Sequence, residues 1–220
     1  MTPAEPRPTV FVLDDDAAVR TALGSLLRSR GLHAVLLATA SDYLAQPAAE
    51  GPACLVLDVR LPDVNGLDLQ RVLMQDAATA LPIVVITGHG DIPMSVRAMK
   101  AGAVGFLTKP FQPDELLAAI DEALALDRRT RAGRSERADA QARLDTLTPR
   151  EREVLTHLVA GRLNKQIAAE LALSEITVKV HRRSVMDKMG ARTLADLVRC
   201  MERLQGTTSA HDAPGGGTPT

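Results

Sequence analysis

The chain has 220 residues, enough for two domains of ordinary size or one large one, and a formal net charge of −1 that by itself points to no partner. No apolar run approaches the roughly 18 residues of a membrane span, and the opening MTPAEPRPT lacks the charged-then-apolar pattern of a secretory signal, so a cytoplasmic protein with no membrane partner is expected. Cys54 and Cys200 form neither a disulfide framework nor a metal-ligand spacing and read as reduced core residues.

Val10-Phe11-Val12-Leu13 reads as a short buried strand ending in Asp14-Asp15-Asp16. A helix follows, with Val19, Leu23, Leu26 and Leu27 on one face, and Gly31 stops it. His33 to Leu37 is a second strand and Ser41 to Gln46 a short helix. Cys54-Leu55-Val56-Leu57 is a third strand, halted by Asp58, and Pro62 with Asp63-Val64-Asn65-Gly66 forces a turn. Gly66 to Asp76 is helical, with Leu67, Val72 and Leu73 expected inward. Ile83 to Ile86 is a fourth strand, before Thr87-Gly88-His89-Gly90. Ile92 to Ala101 is a helix poor in large apolar groups, closed by Gly102. Val104 to Thr108 is a fifth strand ending at Lys109-Pro110, and a helix from Asp114 to about Leu126 carries Leu116, Leu117, Ile120 and Leu124 inward. This alternation gives a flavodoxin-like α/β fold, a five-stranded parallel sheet of order 2-1-3-4-5 with helices on both faces. That order brings Asp14 and Asp15 beside Asp58 at the carboxyl rim, with Thr87 and Lys109 on the same rim.

Residues 123–145 are rich in Ala, Arg, Asp and Glu and lack an apolar stripe, as in a solvated linker that is helical in part, with Gly133 an expected interruption. Thr148-Pro149-Arg150-Glu151 fits a capping box, and Gly161 ends the helix it opens. Lys165 to Leu171 is a second short helix. Ser174 caps a third, running to about Met189 with Ile176, Val178, Val185 and Met189 among its apolar positions, and Thr193 caps a fourth. Four short helices of this kind make an all-α helix-turn-helix candidate. The tail from 206 to 220 is low in complexity and expected to be disordered.

Charge divides the same way. Residues 1–122 carry 9 Lys/Arg against 15 Asp/Glu, whereas residues 148–205 carry 11 against 7, so the basic end suits a polyanion.

Carboxylates converging on one rim repel each other unless a cation joins them. A hard, oxygen-loving ion such as Mg²⁺ fits such a set. Lys109 can hold a phosphate oxygen as a compact charge and Thr87 can donate a hydroxyl to another, so Asp58 reads as a phosphoryl acceptor. Asp14 to Asp16 could instead only cap the first helix, and Asp16 sits where an N-cap belongs. Phe106 by itself reads as plain core.

The stretch from Thr9 to about Leu126 resembles the receiver domain of bacterial two-component response regulators, through VLDDD, LVLDVRLPDVNG, VVITGHGD and GFLTKPF. The resemblance implies that Asp58 is phosphorylated by a sensor histidine kinase. It further implies that Asp14, Asp15, Asp58 and the backbone carbonyl of Arg60 hold Mg²⁺, that Thr87 and Phe106 form a switch pair and that Lys109 contacts the phosphate.

On the third helix of the basic end, Lys179, Val180 and Arg183 share a face suited to reading bases in the major groove. Thr177, His181, Arg182 and Lys165 are placed to meet DNA phosphates. On composition alone a solvated charged face is as good a reading. LTPREREVL, GRLNKQIAAEL and SEITVKVHRRSVMDKMGA resemble the LuxR-type DNA-binding domain, which makes Lys179, Val180 and Arg183 the base readers. Together the two parts resemble the NarL/FixJ class of response regulators, and ITGHGDIPMSVRAMKAGAVGFLTKPF is nearest to the FixJ branch.

The expectation is therefore a receiver at 9–126, a charged, partly helical linker at 127–143, a LuxR-type helix-turn-helix domain at 144–205 and a tail at 206–220. The function expected is a transcription factor, an activator by its FixJ likeness. Phosphorylation of Asp58 would promote homodimerisation and binding to double-stranded promoter DNA, with RNA polymerase a further partner. No enzymatic turnover is expected beyond self-phosphorylation and slow self-dephosphorylation. A Mg²⁺-dependent phosphohydrolase and a protein-binding adaptor are the rival readings, disfavoured by the lack of a substrate pocket and by Lys179, Val180 and Arg183.

Overall fold

The computed structural model of the chain describes residues 6–75 and 80–205. The expected disordered tail at 206–220 lies outside the described residues, as does Asp76, where the third helix was expected to end. The chain divides into two compact units between Arg131 and Ala132.

In the first unit, β1 (Thr9–Leu13), β2 (His33–Leu37), β3 (Ala53–Asp58), β4 (Ile83–Thr87) and β5 (Gly105–Thr108) form a parallel sheet of order β2-β1-β3-β4-β5. The connecting helices are α1 (Ala17–Ser29), α2 (Ala40–Leu44), α3 (Gly66–Leu73) and α4 (Ile92–Lys100), and α5 (Pro113–Asp145) follows β5. Alternate side chains of a strand point to opposite faces, and here both sets are apolar, which suits a sheet covered on both sides. Val10, Val12, Cys54, Val56, Val84 and Ile86 pack with Leu23 and Leu27 of α1 and with Leu116, Ile120 and Leu124 of α5. Phe11, Leu13, Leu55, Leu57, Ile83 and Val85 face the other way, with Ala40 of α2, Leu69 of α3 and Ala98 of α4. Burial pushes the Cys54 thiol up to about 12, so it stays protonated and behaves as a small core residue.

Two expectations about helices are corrected. Val72 of α3 is 56 % exposed, and Leu69 and Gln70 are buried instead. Leu69, Gln70 and Leu73 share one helical face, and Val72 falls off its edge. Gln70 uses its buried place to donate Nε2–H to the Ala98 carbonyl of α4 at 2.9 Å. The other correction is Gly133, which interrupts nothing: α5 runs through it to Asp145. One glycine costs a helix only about 1 kcal/mol relative to alanine, and its neighbours (RRTRAGRSERADAQARL) are mostly good helix formers.

The second unit contains α6 (Pro149–Val159), α7 (Asn164–Glu170), α8 (Glu175–Met189) and α9 (Leu194–Gln205) around Val154, Leu155, Leu158, Ile167, Val178, Val185, Met189 and Leu197. Its helix starts are those the residues announce. Thr148 and Glu151 close a reciprocal capping box on α6, Ser174 accepts from the Thr177 N–H on α8, and Thr193 and Asp196 cap α9 reciprocally. Gly161 and Gly190 end α6 and α8 at φ +74 and +65, a backbone region that costs glycine little. The end of α5 is tied in by Arg143, which donates Nη1–H to the Met189 carbonyl at 3.3 Å.

Candidate functional site

The parallel register aligns Leu13 with Leu57, so the residue after β1, Asp14, emerges beside Asp58, about one strand spacing of 4.8 Å away. One ligand oxygen from each of Asp14, Asp15 and Asp58 lies within 4.8 Å of the others. Asp14 and Asp58 are buried and Asp15 is exposed, which leaves the set open on one side. Three oxygen donors arranged in this way make an acidic pocket compatible with a hard divalent cation.

Lys109 completes the pocket. Its backbone N–H donates to the Thr87 carbonyl at 2.7 Å, which keeps the chain on β4 beyond the end of β5. The side chain then reaches across the rim, and Nζ–H donates to Asp14 Oδ2 and to Asp58 Oδ2, each at 2.6 Å. Burial pulls the Lys109 ammonium down, but the bonds to Asp14 and Asp58 outweigh it, leaving its pKa above the ordinary lysine range. Burial raises the Asp14 carboxyl, against the lowering effect of the Lys109 and Asp16 donors. A single ammonium thus serves two carboxylates within reach of a third.

The loops around the rim are held by short contacts. The backbone N–H of Arg60 donates to Asp58 Oδ1 at 3.1 Å, so the β3–α3 loop starts by turning back on the carboxylate. Gly66 opens α3 so close to β3 that a Cβ there would lie 2.2 Å from the Asp58 carbonyl oxygen, and only glycine fits. Arg20 of α1 donates Nη1–H to the Asp14 carbonyl at 2.7 Å, and Asp16 caps α1 through Ala18 N–H and Val19 N–H, as its position announced. Neither Arg20 nor Gly66 was anticipated as a support of the rim. The offset from Asp14 to Arg20 was the available sign for the first, and the glycine directly ahead of a helix for the second.

Thr87 is buried at the end of β4, its Oγ1 accepting from the His89 N–H at 3.3 Å. Phe106 of β5 is half-buried and packs with the α2, α3 and α4 face of the sheet. Gly90 lets the β4–α4 loop lie against it: a Cβ at Gly90 would stand 2.4 Å from Thr108 Cγ2 and 3.1 Å from Phe106 Cε1. Thr87 and Phe106 thus border one loop at the rim.

In the second unit, α8 is anchored by Val178, Val185 and Met189 and by Glu151 of α6. Glu151 Oε2 accepts from Lys188 Nζ at 2.7 Å and Oε1 from Ser184 Oγ at 2.5 Å. The Lys188 bond first, then those from Ser184 and the Thr148 N–H, hold its carboxyl down at about 2. With α8 fixed in this way, Lys179, Val180 and Arg183 are exposed, and so is Lys165 on α7. Thr177, His181 and Arg182 are half-exposed, and Arg182 donates Nη1–H to Asn164 Oδ1 at 3.2 Å. Ile176, grouped by pattern with the apolar positions of this helix, is 75 % exposed and lies outside the core. The structure therefore brings the candidate readers onto one accessible helix and places Ile176 among them.

Comparison with known proteins covers both units. Residues 10–121 match the family described as the response regulator receiver domain, and residues 145–201 match the bacterial regulatory proteins of the luxR family. Nodulation protein W of Bradyrhizobium diazoefficiens is 48% identical over 203 residues, 92% of this chain and 89% of that protein. The transcriptional regulatory protein FixJ of the same organism is 41% identical over 194 residues, 88% of this chain and 94% of that protein. The low-resolution structure of the response regulator StyR superposes with a TM-score of 0.80 at 47% identity, covering 90% of this chain and 99% of that one.

Proposed function

Because this chain belongs to the two-component response regulators, with a receiver domain followed by a LuxR-type DNA-binding domain, we propose that phosphorylation of Asp58 switches its dimerisation and its binding to promoter DNA. The observation that carries this reading is the Lys109 ammonium at 2.6 Å from both Asp14 and Asp58. An ammonium poised on the acceptor carboxylate can turn to an oxygen of an incoming phosphoryl group without first being recruited.

Asp14, Asp15, Asp58 and the Arg60 carbonyl would hold Mg²⁺, which supplies neutralisation of phosphate charge when bound. Asp58 is the nucleophile: one carboxylate oxygen bonds to phosphorus, and the bond from phosphorus to the donor breaks. The donor is a sensor histidine kinase. Lys109 holds one phosphate oxygen, and Thr87 turns its hydroxyl to another. The product carries about −1.5 to −2 charges where the carboxylate carried −1. Movement of Thr87 frees space that Phe106 enters, and α4 and β5 repack into the form that dimerises.

In the LuxR-type domain Lys179, Val180 and Arg183 read bases, while Lys165, Thr177, His181 and Arg182 hold the phosphates. The working division is a receiver at 9–126, a linker at 127–143 and a DNA-binding domain at 144–205. No helix among the described residues is long and apolar enough to cross a membrane; what supports action in the cytoplasm is the family to which the chain belongs. There the DNA-bound dimer would recruit RNA polymerase as an activator.

The test is the affinity of the full chain for promoter DNA with and without acetyl phosphate and Mg²⁺, at one salt concentration. The expected result is tighter binding with the phosphodonor, abolished in Asp58→Ala. Equal affinity in both states would remove Asp58 from the switch.

A further inference from the structure

We propose that Ile176 is a specificity-determining residue that reads the methyl group of a thymine in the major groove, as one of an apolar pair with Val180. This rests on the DNA-reading function proposed for α8. A lone exposed aliphatic side chain needs no explanation. Ile176 and Val180 are two such side chains, 75 % and 62 % exposed, four residues apart on one face of one helix. That face is turned away from the core stripe of Val178, Val185 and Met189, and it also carries the exposed cations Lys179 and Arg183.

The first turn is where a recognition helix meets base edges, and Ile176 is the second residue of α8. Ser174 Oγ accepts from the Thr177 N–H at 3.1 Å, which fixes that turn and with it the direction of the Ile176 side chain. The cations draw a polyanion to this face. Between them it offers no hydrogen-bond donor at Ile176 or Val180, only aliphatic surface, and the thymine methyl is the apolar group that the major groove displays. Side chains four apart on a helix stand roughly 5–6 Å apart, and successive bases of one strand are about 3.4 Å apart. The pair therefore spans thymines one or two steps apart.

The experiment selects duplexes from a randomised double-stranded library with the full-length protein in acetyl phosphate and Mg²⁺. The best duplex is then remade with deoxyuridine at each thymine in turn, which deletes only the methyl group. Wild type should lose about fourfold in affinity at two thymines under each protomer of the dimer, the weight of one buried methyl each. Ile176→Ala should become indifferent at one of the two and Val180→Ala at the other, and Ile176→Val should keep the sensitivity. Because Ile176 is exposed and alanine favours helix, the alanine variant keeps the fold. An Ile176→Ala profile identical to wild type at every thymine, or a wild type indifferent to every methyl, overturns the assignment. If the wild type enriches no sequence, with or without phosphodonor, the DNA-reading function itself falls, and this inference with it.

Discussion

Lys109 and Glu151 show how one side chain can hold two elements, with opposite chemistry. Removing the Lys109 ammonium leaves the buried Asp14 facing Asp58 with no counter-charge. Lys109→Ala should cost about 1–3 kcal/mol in urea denaturation at neutral pH. Asp14 is already raised by burial and rises further without its donor, so the variant should recover stability as the pH falls and that carboxyl takes up its proton. A variant as stable as wild type would mean that the bridge contributes nothing. Glu151 works the other way. Its folded pKa of about 2 lies below the ordinary 4.5, so its stabilisation is complete above 4.5 and lost as the pH falls toward 2. Thermal melting of wild type and Glu151→Gln should show a gap at pH 6 that closes across that window. A constant gap would mean that the ionised carboxylate is not what ties α6 to α8.

Among the elements, α4 and α5 carry the differences that matter. α4 fully buries only Ala98 and packs a half-buried Met94 on the sheet, while Ile92, Val96 and Met99 are exposed, and the Gln70 bond to the Ala98 carbonyl adds to its attachment. A helix held so lightly is suited to move when the rim changes charge. α5 continues through Gly133, where a Cβ would meet nothing within 4 Å. Gly133→Ala should therefore raise stability by about 0.5–1 kcal/mol, read from the denaturation midpoint, because the glycine is helical and its surroundings are open. A destabilised variant would show that the helix needs glycine there.

Across the whole molecule, chemistry is divided by charge. The acidic front holds the candidate phosphoacceptor Asp58 and the basic back the candidate reading helix α8, so the net charge of −1 conceals both. DNA affinity should fall steeply with salt although the protein is nearly neutral, because only local cations displace counterions. Lys165→Ala, at an exposed cation on α7, should weaken binding about equally for all sequences and reduce the salt slope by about 1. A loss confined to one operator sequence would make Lys165 a base reader.

Whatever depends on near neighbours in the chain was determined by the residues alone. Apolar runs announced the strands, and carboxylates halt two of them, β1 before Asp14 and β3 at Asp58. The side chains of Asp16, Thr148, Ser174 and Thr193 each bond the helix they precede, so each start could be read locally. The alternation of strands and helices announced a parallel sheet, the flavodoxin-like order β2-β1-β3-β4-β5 was the one expected for five such strands, and that order sets Asp14 beside Asp58. Facing and reach were decided only by tertiary structure. Val72 points out because α3 docks through Leu69 and Gln70, and Ile176 points out because Val178 and Val185 take the core. The double bridge at Lys109 depends on the distance across three strand ends, a length set by sheet packing that no spacing of residues encodes.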